Sequence, residues 1–80
     1  MREGSFIKSK QKLIERANQF LQLTHNADEI ASYTILLREL NDATYINSKT
    51  KKGELSYFII DSYSGDRSLG DDVVYFDNHW

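Results

Sequence analysis

The sequence predicts a small α+β domain in which two N-terminal helices pack on a three-stranded antiparallel sheet, in the order α-α-β-β-β. Three observations carry this prediction. Apolar residues recur at helical spacing in the first half of the 80 residues. Aromatic and β-branched residues then cluster between residues 54 and 63, with Gly53 and Gly65 on either side. A second cluster of this kind covers residues 73–77.

The first helix is predicted from about residue 5 to residue 23. Ser5 is a suitable N-cap, and no Gly or Pro occurs between Phe6 and Thr24. Lys, Arg and Gln residues occupy the other side of the predicted helix. The apolar stripe consists of Phe6, Leu13, Ala17, Phe20 and Leu21, with Ile7 and Ile14 beside it.

The second segment, around residues 28–40, allows two interpretations. Asn26 followed three residues later by Glu29 is a helix-start signal, and Asn41-Asp42 is a plausible stop. Ile30, Tyr33, Leu37 and Leu40 then form the apolar stripe, so we favour a helix. The same segment also alternates at Ala31, Tyr33, Ile35 and Leu37, as a strand does. A strand here makes the fold one helix on a four-stranded antiparallel meander.

The second half of the chain is expected to form the sheet. Strands are predicted at residues 44–48, 54–63 and 73–77, joined by a loop at 49–53 and a polar, Gly-containing loop at 64–72. Residues 54–63 carry large apolar side chains on both faces of an extended strand, which is typical of a central strand.

Composition indicates one soluble domain, residues 1–80, in a reducing compartment. There is no Cys, the net charge is −2 and the mean hydropathy is −0.57. Neither a signal-peptide run nor a stretch of membrane-spanning length is present. We therefore expect a full-length cytoplasmic protein without a membrane segment. Since so small a core often needs additional stabilisation, a homodimer formed through the uncovered sheet face is a further hypothesis.

Charge is distributed unevenly along the chain. Residues 1–53 contain nine Lys/Arg and six Asp/Glu, a balance of +3. Residues 54–80 contain one base and six acids, a balance of −5. The molecule is therefore expected to be dipolar, and such a field steers the approach of charged partners.

Motifs for catalysis are lacking in the sequence. His25 and His79 are the only His residues, and there is no Cys nucleophile or phosphate-binding Gly loop. Asp61 to Asp72 departs from the calcium loop of EF-hands, because Tyr63 takes a ligand position and Gly65 comes one place early. We predict a protein that is not an enzyme and has no metal or cofactor.

The acidic half predicts a protein-binding surface. Tyr and Trp dominate interface hot spots, and acids beside them suit a partner with a basic surface, including one that normally holds nucleic acid. Small Cys-free proteins of similar size and composition occur among phage-encoded inhibitors of host defence proteins and host enzymes. Tyr side chains of this set also suit a core, and Trp80 suits either a core or self-association. The candidate residues are Asp61, Tyr63, Asp66, Asp71, Asp72, Tyr75, Asp77 and Trp80.

The alternative function is nucleic-acid binding through the basic half. Lys and Arg on the first helix and the hairpin loop are suited to contact a phosphate backbone, although the sequence pI of about 5.6 and the acidic second half oppose it. The residues of this alternative are Lys8, Lys12, Arg16, Lys49, Lys51 and Lys52.

Overall fold

Helical periodicity extends through both halves of the chain. The computed structural model describes residues 2–45 and 53–79, and within these ranges it contains four helices and no strand. They are α1 (Arg2–Leu23), α2 (Ala27–Asp42), α3 (Glu54–Asp61) and α4 (Arg67–His79). The fold is therefore all-helical. The predicted α+β class with a three-stranded sheet is wrong, and so is the alternative with a four-stranded meander.

Helix α1 ends at Leu23 as predicted but begins earlier. It starts at Arg2, so Ser5 lies inside the first turns and is not the N-cap. Phe6, Leu13 and Ala17 are buried, which confirms the predicted apolar stripe.

Helix α2 begins at the predicted cap. The Asn26 side chain accepts hydrogen bonds from the backbone N–H groups of Asp28 and Glu29, at 2.9 and 3.1 Å. The Thr24 hydroxyl donates to the Glu29 carboxylate at 3.0 Å and accepts from the Asn26 N–H at 3.2 Å. Glu29 thus reaches the cap residue through the Thr24 hydroxyl, a variation on the expected capping box.

The core side of α2 differs slightly from the prediction. Tyr33 and Leu40 are fully buried, as expected, and Leu36 joins them. Ile30, predicted to be in the stripe, is 41% exposed. The helical interpretation of this segment is confirmed, and the strand interpretation is wrong.

Helix α3 replaces the predicted central strand. Leu55 is buried and Phe58 and Ile59 are half-buried, so the inward residues follow a spacing of three and four. Tyr57 and Ile60 point outward. The intrinsic penalty of aromatic and β-branched residues in a helix is below about 1 kcal/mol per residue, so packing and capping decide the outcome.

Helix α4 replaces the predicted last strand and part of the polar loop before it. Asp66 caps its start, because one carboxylate oxygen accepts from the Leu69 N–H at 2.9 Å. Leu69, Val73 and Phe76 are buried at helical spacing. The predicted strand at 44–48 is also wrong where it is described, since Thr44 and Tyr45 are not extended into a strand; its remaining residues lie outside the described ranges.

The helices form two antiparallel hairpins. Helix α1 packs on α2, α3 packs on α4, and α1 also packs on α4. Phe6 contacts Phe76 with ring centroids 5.0 Å apart, and Phe20 stacks on Tyr33 at 5.7 Å. Side chains from α1, α2, α3 and α4 share one core, so this is a single small domain.

Candidate protein-binding surface

Asp77 stabilises the start of α3 and is not part of an open acidic surface. Its Oδ2 accepts from the backbone N–H groups of Gly53 and Ser56, at 2.9 and 3.0 Å, and from the Ser56 hydroxyl at 2.7 Å. The local N-cap, Gly53, provides no side-chain hydrogen bond. A carboxylate at this position satisfies free N–H groups and complements the helix dipole. Asp77 therefore joins α4 to α3.

Asp66 and Tyr63 hold the α3–α4 turn against α2. The Asp66 N–H donates to the Tyr33 hydroxyl at 2.7 Å, and the Tyr63 hydroxyl donates to the Asp66 carbonyl at 2.7 Å. The Ser64 N–H donates to the hydroxyl of the buried Ser32 at 2.9 Å. Burial raises the pKa of the Tyr63 hydroxyl far above its ordinary value, and the neighbouring Tyr33 adds to this increase. Tyr63 therefore stays a hydrogen-bond donor at alkaline pH values at which an exposed tyrosine ionises.

Asp72 forms an ion pair with a cation of the same chain. Its carboxylate accepts a hydrogen bond from the Arg16 guanidinium, and the pair connects α4 to α1. Both side chains are partly exposed, at 54% and 35%, so the pair contributes about 0.2–1 kcal/mol. Arg16 and Asp72 were predicted to belong to two different binding surfaces, but the structure brings them together.

Asp61 and Asp71 remain directed to solvent. Both are exposed; within the described residues, the Asp61 carboxylate accepts only from the hydroxyl of its neighbour Ser62, and the Asp71 carboxylate accepts no hydrogen bond. Of the predicted acidic residues, these two are placed to meet a partner. The predicted acidic surface is thus smaller than the sequence indicates.

Large apolar side chains accompany these two acids. Tyr57, Ile60 and Tyr75 are exposed to 71, 80 and 70%. The spacing from Tyr57 to Ile60 and Asp61 is three and four residues, so these side chains share the side of α3 opposite Leu55. Scattered exposed apolar residues are ordinary, whereas a group on one side of a hairpin indicates an interaction surface.

The outward side of α4 continues this surface. Asp71 and Tyr75 are four residues apart and lie opposite the buried Val73. Tyr75 also stacks on His79, with ring centroids 5.4 Å apart and the planes at 20°. Because α3 and α4 cover the same core, their outward sides face solvent together. We call this surface the hairpin face; it consists of Tyr57, Ile60, Asp61, Asp71, Val74 and Tyr75.

A groove runs between the two helices on this face. Its volume is about 470 Å³; Ile59, Ile60 and Val74 give it an apolar lining, and one cation, Arg67, and one acid, Asp71, also line it. The absence of a side chain at Gly70 lets Tyr63 pack closely, since a Cβ there would lie 2.9 Å from the Tyr63 ring. The groove is suited to accept an apolar side chain.

The predicted basic site is only partly described. Lys8 and Lys12 are exposed on α1. Lys49, Lys51 and Lys52 lie outside the described residues, as does Trp80 of the predicted acidic surface. Residues 2–45 contain six Lys/Arg and six Asp/Glu, so the positive balance of the first half rests on those three lysines. Lys10 donates to the Ala43 carbonyl at 2.9 Å and stabilises the end of α2.

The described residues provide neither a metal site nor a membrane-spanning helix. Within residues 2–45 and 53–79, no group of three or more His, Asp or Glu residues is arranged to hold a metal ion. Among the helices that the structure describes, none combines the length and apolar character needed to cross a bilayer. His25 is exposed in the α1–α2 turn, and His79 lies at the end of α4.

Sequence reasoning missed Ile60 and Val74 as surface residues because it placed them in strands. The available signal was helical: Leu55, Phe58 and Ile59 leave Tyr57 and Ile60 on the opposite side once a helix is assumed.

Comparison of the chain with protein-family models, with curated proteins and with solved structures finds no match.

Proposed function

We propose that this protein is a non-enzymatic binding module that captures a partner protein through the hairpin face. The observation that carries the proposal is the combination of Tyr57, Ile60 and Tyr75, each at least 70% exposed, with Asp61 and Asp71 beside them. Aromatic and aliphatic side chains supply contact area, and solvated acids select a partner surface rich in Lys or Arg.

The charge of the second half supports a basic partner. Residues 54–80 carry six acids and one base, Arg67. Asp66, Asp72 and Asp77 are engaged within the molecule, which leaves Glu54 in the first turn of α3 and, on the hairpin face, Asp61 and Asp71. Inhibition of the partner by covering its basic site, as in phage-encoded inhibitors, remains part of this proposal. The small number of free acids favours a mixed apolar and charged contact over an extended imitation of nucleic acid.

A matched pair of substitutions tests the apolar part of this surface. Ile60→Ser removes an aliphatic side chain that is 80% exposed, and Leu23→Ser removes one that is 75% exposed at the end of α1. Neither change is expected to alter stability by more than about 0.5 kcal/mol, because both side chains are largely in solvent. With the partner captured from lysate of the source cells, identified and purified, Ile60→Ser should weaken its binding at least about tenfold and Leu23→Ser should not.

A second matched pair tests the charge. Asp71→Lys lies on the hairpin face, and Glu15→Lys makes the same change of net charge on an exposed position of α1. Asp71→Lys should weaken capture more than Glu15→Lys at low salt, and the difference should shrink as salt screens the charges. If Ile60→Ser and Asp71→Lys both bind the partner as the unmodified chain does, the hairpin face is not the binding surface.

A further inference from the structure

The groove between α3 and α4 combines an apolar lining with charged side chains. Its lining residues recur at spacings of three and four on each helix, so one side of each helix faces the groove. On α4 these residues are Arg67, Gly70, Asp71 and Val74; on α3 and in the turn that follows it they are Ile59, Ile60, Tyr63 and Gly65. The volume of about 470 Å³ lies within the range of about 300–1,000 Å³ that is usual for small-molecule sites.

Two side chains of opposite charge line this groove about one helical turn apart. Arg67 and Asp71 are both exposed and are four residues apart on α4, which is about 6 Å along the helix axis. Within residues 2–45 and 53–79, neither side chain forms a hydrogen bond or an ion pair, and they do not pair with each other. A base that precedes an acid by four residues is the less favourable order for such a pair in a helix. Both charges are therefore available to a ligand in the groove.

We propose that this groove binds a small zwitterionic ligand with an apolar body, of which an α-amino acid with a large aliphatic or aromatic side chain is the simplest example. The Arg67 guanidinium is suited to bind the carboxylate through two parallel hydrogen bonds, and the Asp71 carboxylate is suited to accept from the ammonium group. The apolar body then covers Val74 and Ile60, which is 80% exposed. This inference does not rest on the proposed function, because it concerns a small molecule and not the partner protein.

A ligand that carries a single charge fits the groove less well. An apolar carboxylic acid pairs with Arg67, but its body displaces water from Asp71 and offers that carboxylate no partner. An apolar amine pairs with Asp71 and has the same effect on Arg67. A zwitterion supplies a partner of opposite sign to both side chains, so neither charge loses water without compensation.

The test titrates the full, isotope-labelled chain with the free amino acids leucine and phenylalanine and with matched analogues. Their N-acetyl derivatives lack the ammonium group, their amides lack the carboxylate, and glycine carries both charges without an apolar body. NMR spectra should show saturable shifts of the Gly65 and Gly70 amide signals with leucine or phenylalanine, while the signal of Gly4 in α1 keeps its position. The amino acid that binds more tightly should exceed glycine and each of its own derivatives at least about tenfold in affinity.

Substitutions on α4, with controls on α1, test the two charges separately. Arg67→Gln and Asp71→Asn each remove one charge from the groove, and Lys12→Gln and Glu15→Gln remove the same charges from exposed positions of α1. All four positions are exposed, so the variants should keep the fold, which circular dichroism checks. Arg67→Gln and Asp71→Asn should each weaken binding of the amino acid at least about tenfold, and the two controls should leave it unchanged.

Three results overturn this inference. The first is that neither amino acid shifts the Gly70 signal in a saturable way. The second is that an N-acetyl derivative or an amide binds as tightly as its amino acid, and the third is that Arg67→Gln and Asp71→Asn both bind as the unmodified chain does. Any of them leaves the proposed function standing if Ile60→Ser still weakens capture of the partner protein. Capture that is insensitive to both Ile60→Ser and Asp71→Lys overturns the proposed function alone, because the titration does not involve the partner.

Discussion

Replacing Asp77 should destabilise the molecule far more than an exposed acid on the same helix. Its carboxylate accepts two backbone N–H groups and one hydroxyl at the start of α3, at 2.7–3.0 Å. Hydrogen bonds to charged groups contribute about 1.5–3 kcal/mol when buried, and loss of a helix cap costs about 0.5–2 kcal/mol. Since this site is only partly buried, water can replace some of the hydrogen bonds that the substitution removes. We expect Asp77→Ala to lower the free energy of unfolding by about 2 kcal/mol.

A loss of this size is large for so small a domain. At roughly 0.05–0.15 kcal/mol per residue, a chain of 80 residues has a free energy of unfolding of about 4–12 kcal/mol. For this size, 1 kcal/mol shifts the melting temperature by about 4–8 °C, so Asp77→Ala should lower it by about 10 °C. Urea unfolding followed by circular dichroism measures the first quantity, and a thermal scan measures the second.

Two controls separate the cap from the charge. Asp71→Ala removes an exposed acid from the same helix and should change stability by less than about 0.5 kcal/mol. Asp77→Asn keeps an acceptor of similar shape and should cost about half as much as Asp77→Ala. Amide hydrogen exchange should show the Ser56 N–H losing protection in Asp77→Ala while the amides of α1 keep theirs. Equal stability of Asp77→Ala and Asp71→Ala would refute the assignment of Asp77 as the cap of α3.

Four further predictions concern single positions. Gly53 has a φ of +97°, and no described atom lies within 4 Å of a Cβ built there, so Gly53→Ala should cost about 1–2 kcal/mol of backbone strain alone. In contrast, Gly4→Ala inside α1 also meets no described atom and should stabilise by about 0.5 kcal/mol; urea unfolding of the two variants in parallel compares them. Gly70→Ala should destabilise by about 1–3 kcal/mol despite the better helix propensity of Ala, because its Cβ comes within 2.9 Å of the Tyr63 ring; a gain in thermal stability would contradict this. The raised pKa of Tyr63 means that the folded state favours the protonated hydroxyl. The contribution of this hydroxyl to the free energy of unfolding is therefore complete below about pH 10 and is lost as the pH rises further. The stability difference between the unmodified chain and Tyr63→Phe should therefore be the same at about pH 8 and about pH 9 and should narrow as the pH rises above about 10, and a constant difference at these higher pH values would contradict this.

Several local features of the first half were correctly predicted from sequence because their physical causes are local. The apolar stripe of α1 buries Phe6, Leu13 and Ala17, and the Asn26 cap accepts the two N–H groups expected of it. A cap and a stripe involve residues three and four apart, so the sequence contains both partners of each interaction. Composition likewise indicated the small single domain that one shared core confirms.

The secondary structure of the second half depends on contacts between residues that are distant in sequence. Residues 54–63 are rich in residues that favour strands, but their apolar side chains also recur at the spacing of three and four that favours a helix. The intrinsic preferences for helix and for strand differ too little here to decide between the two. Asp77 accepts hydrogen bonds from the N–H groups of Ser56 and Gly53, which lie 21 and 24 residues away in sequence. Gly70 has no side chain, so the ring of Tyr63 can pack against it. The sequence by itself determined that acids and aromatic residues accumulate after Gly53. Only the tertiary structure decided which acids are used internally and which face solvent, because that depends on which helix ends and cations the folded chain brings beside each carboxylate.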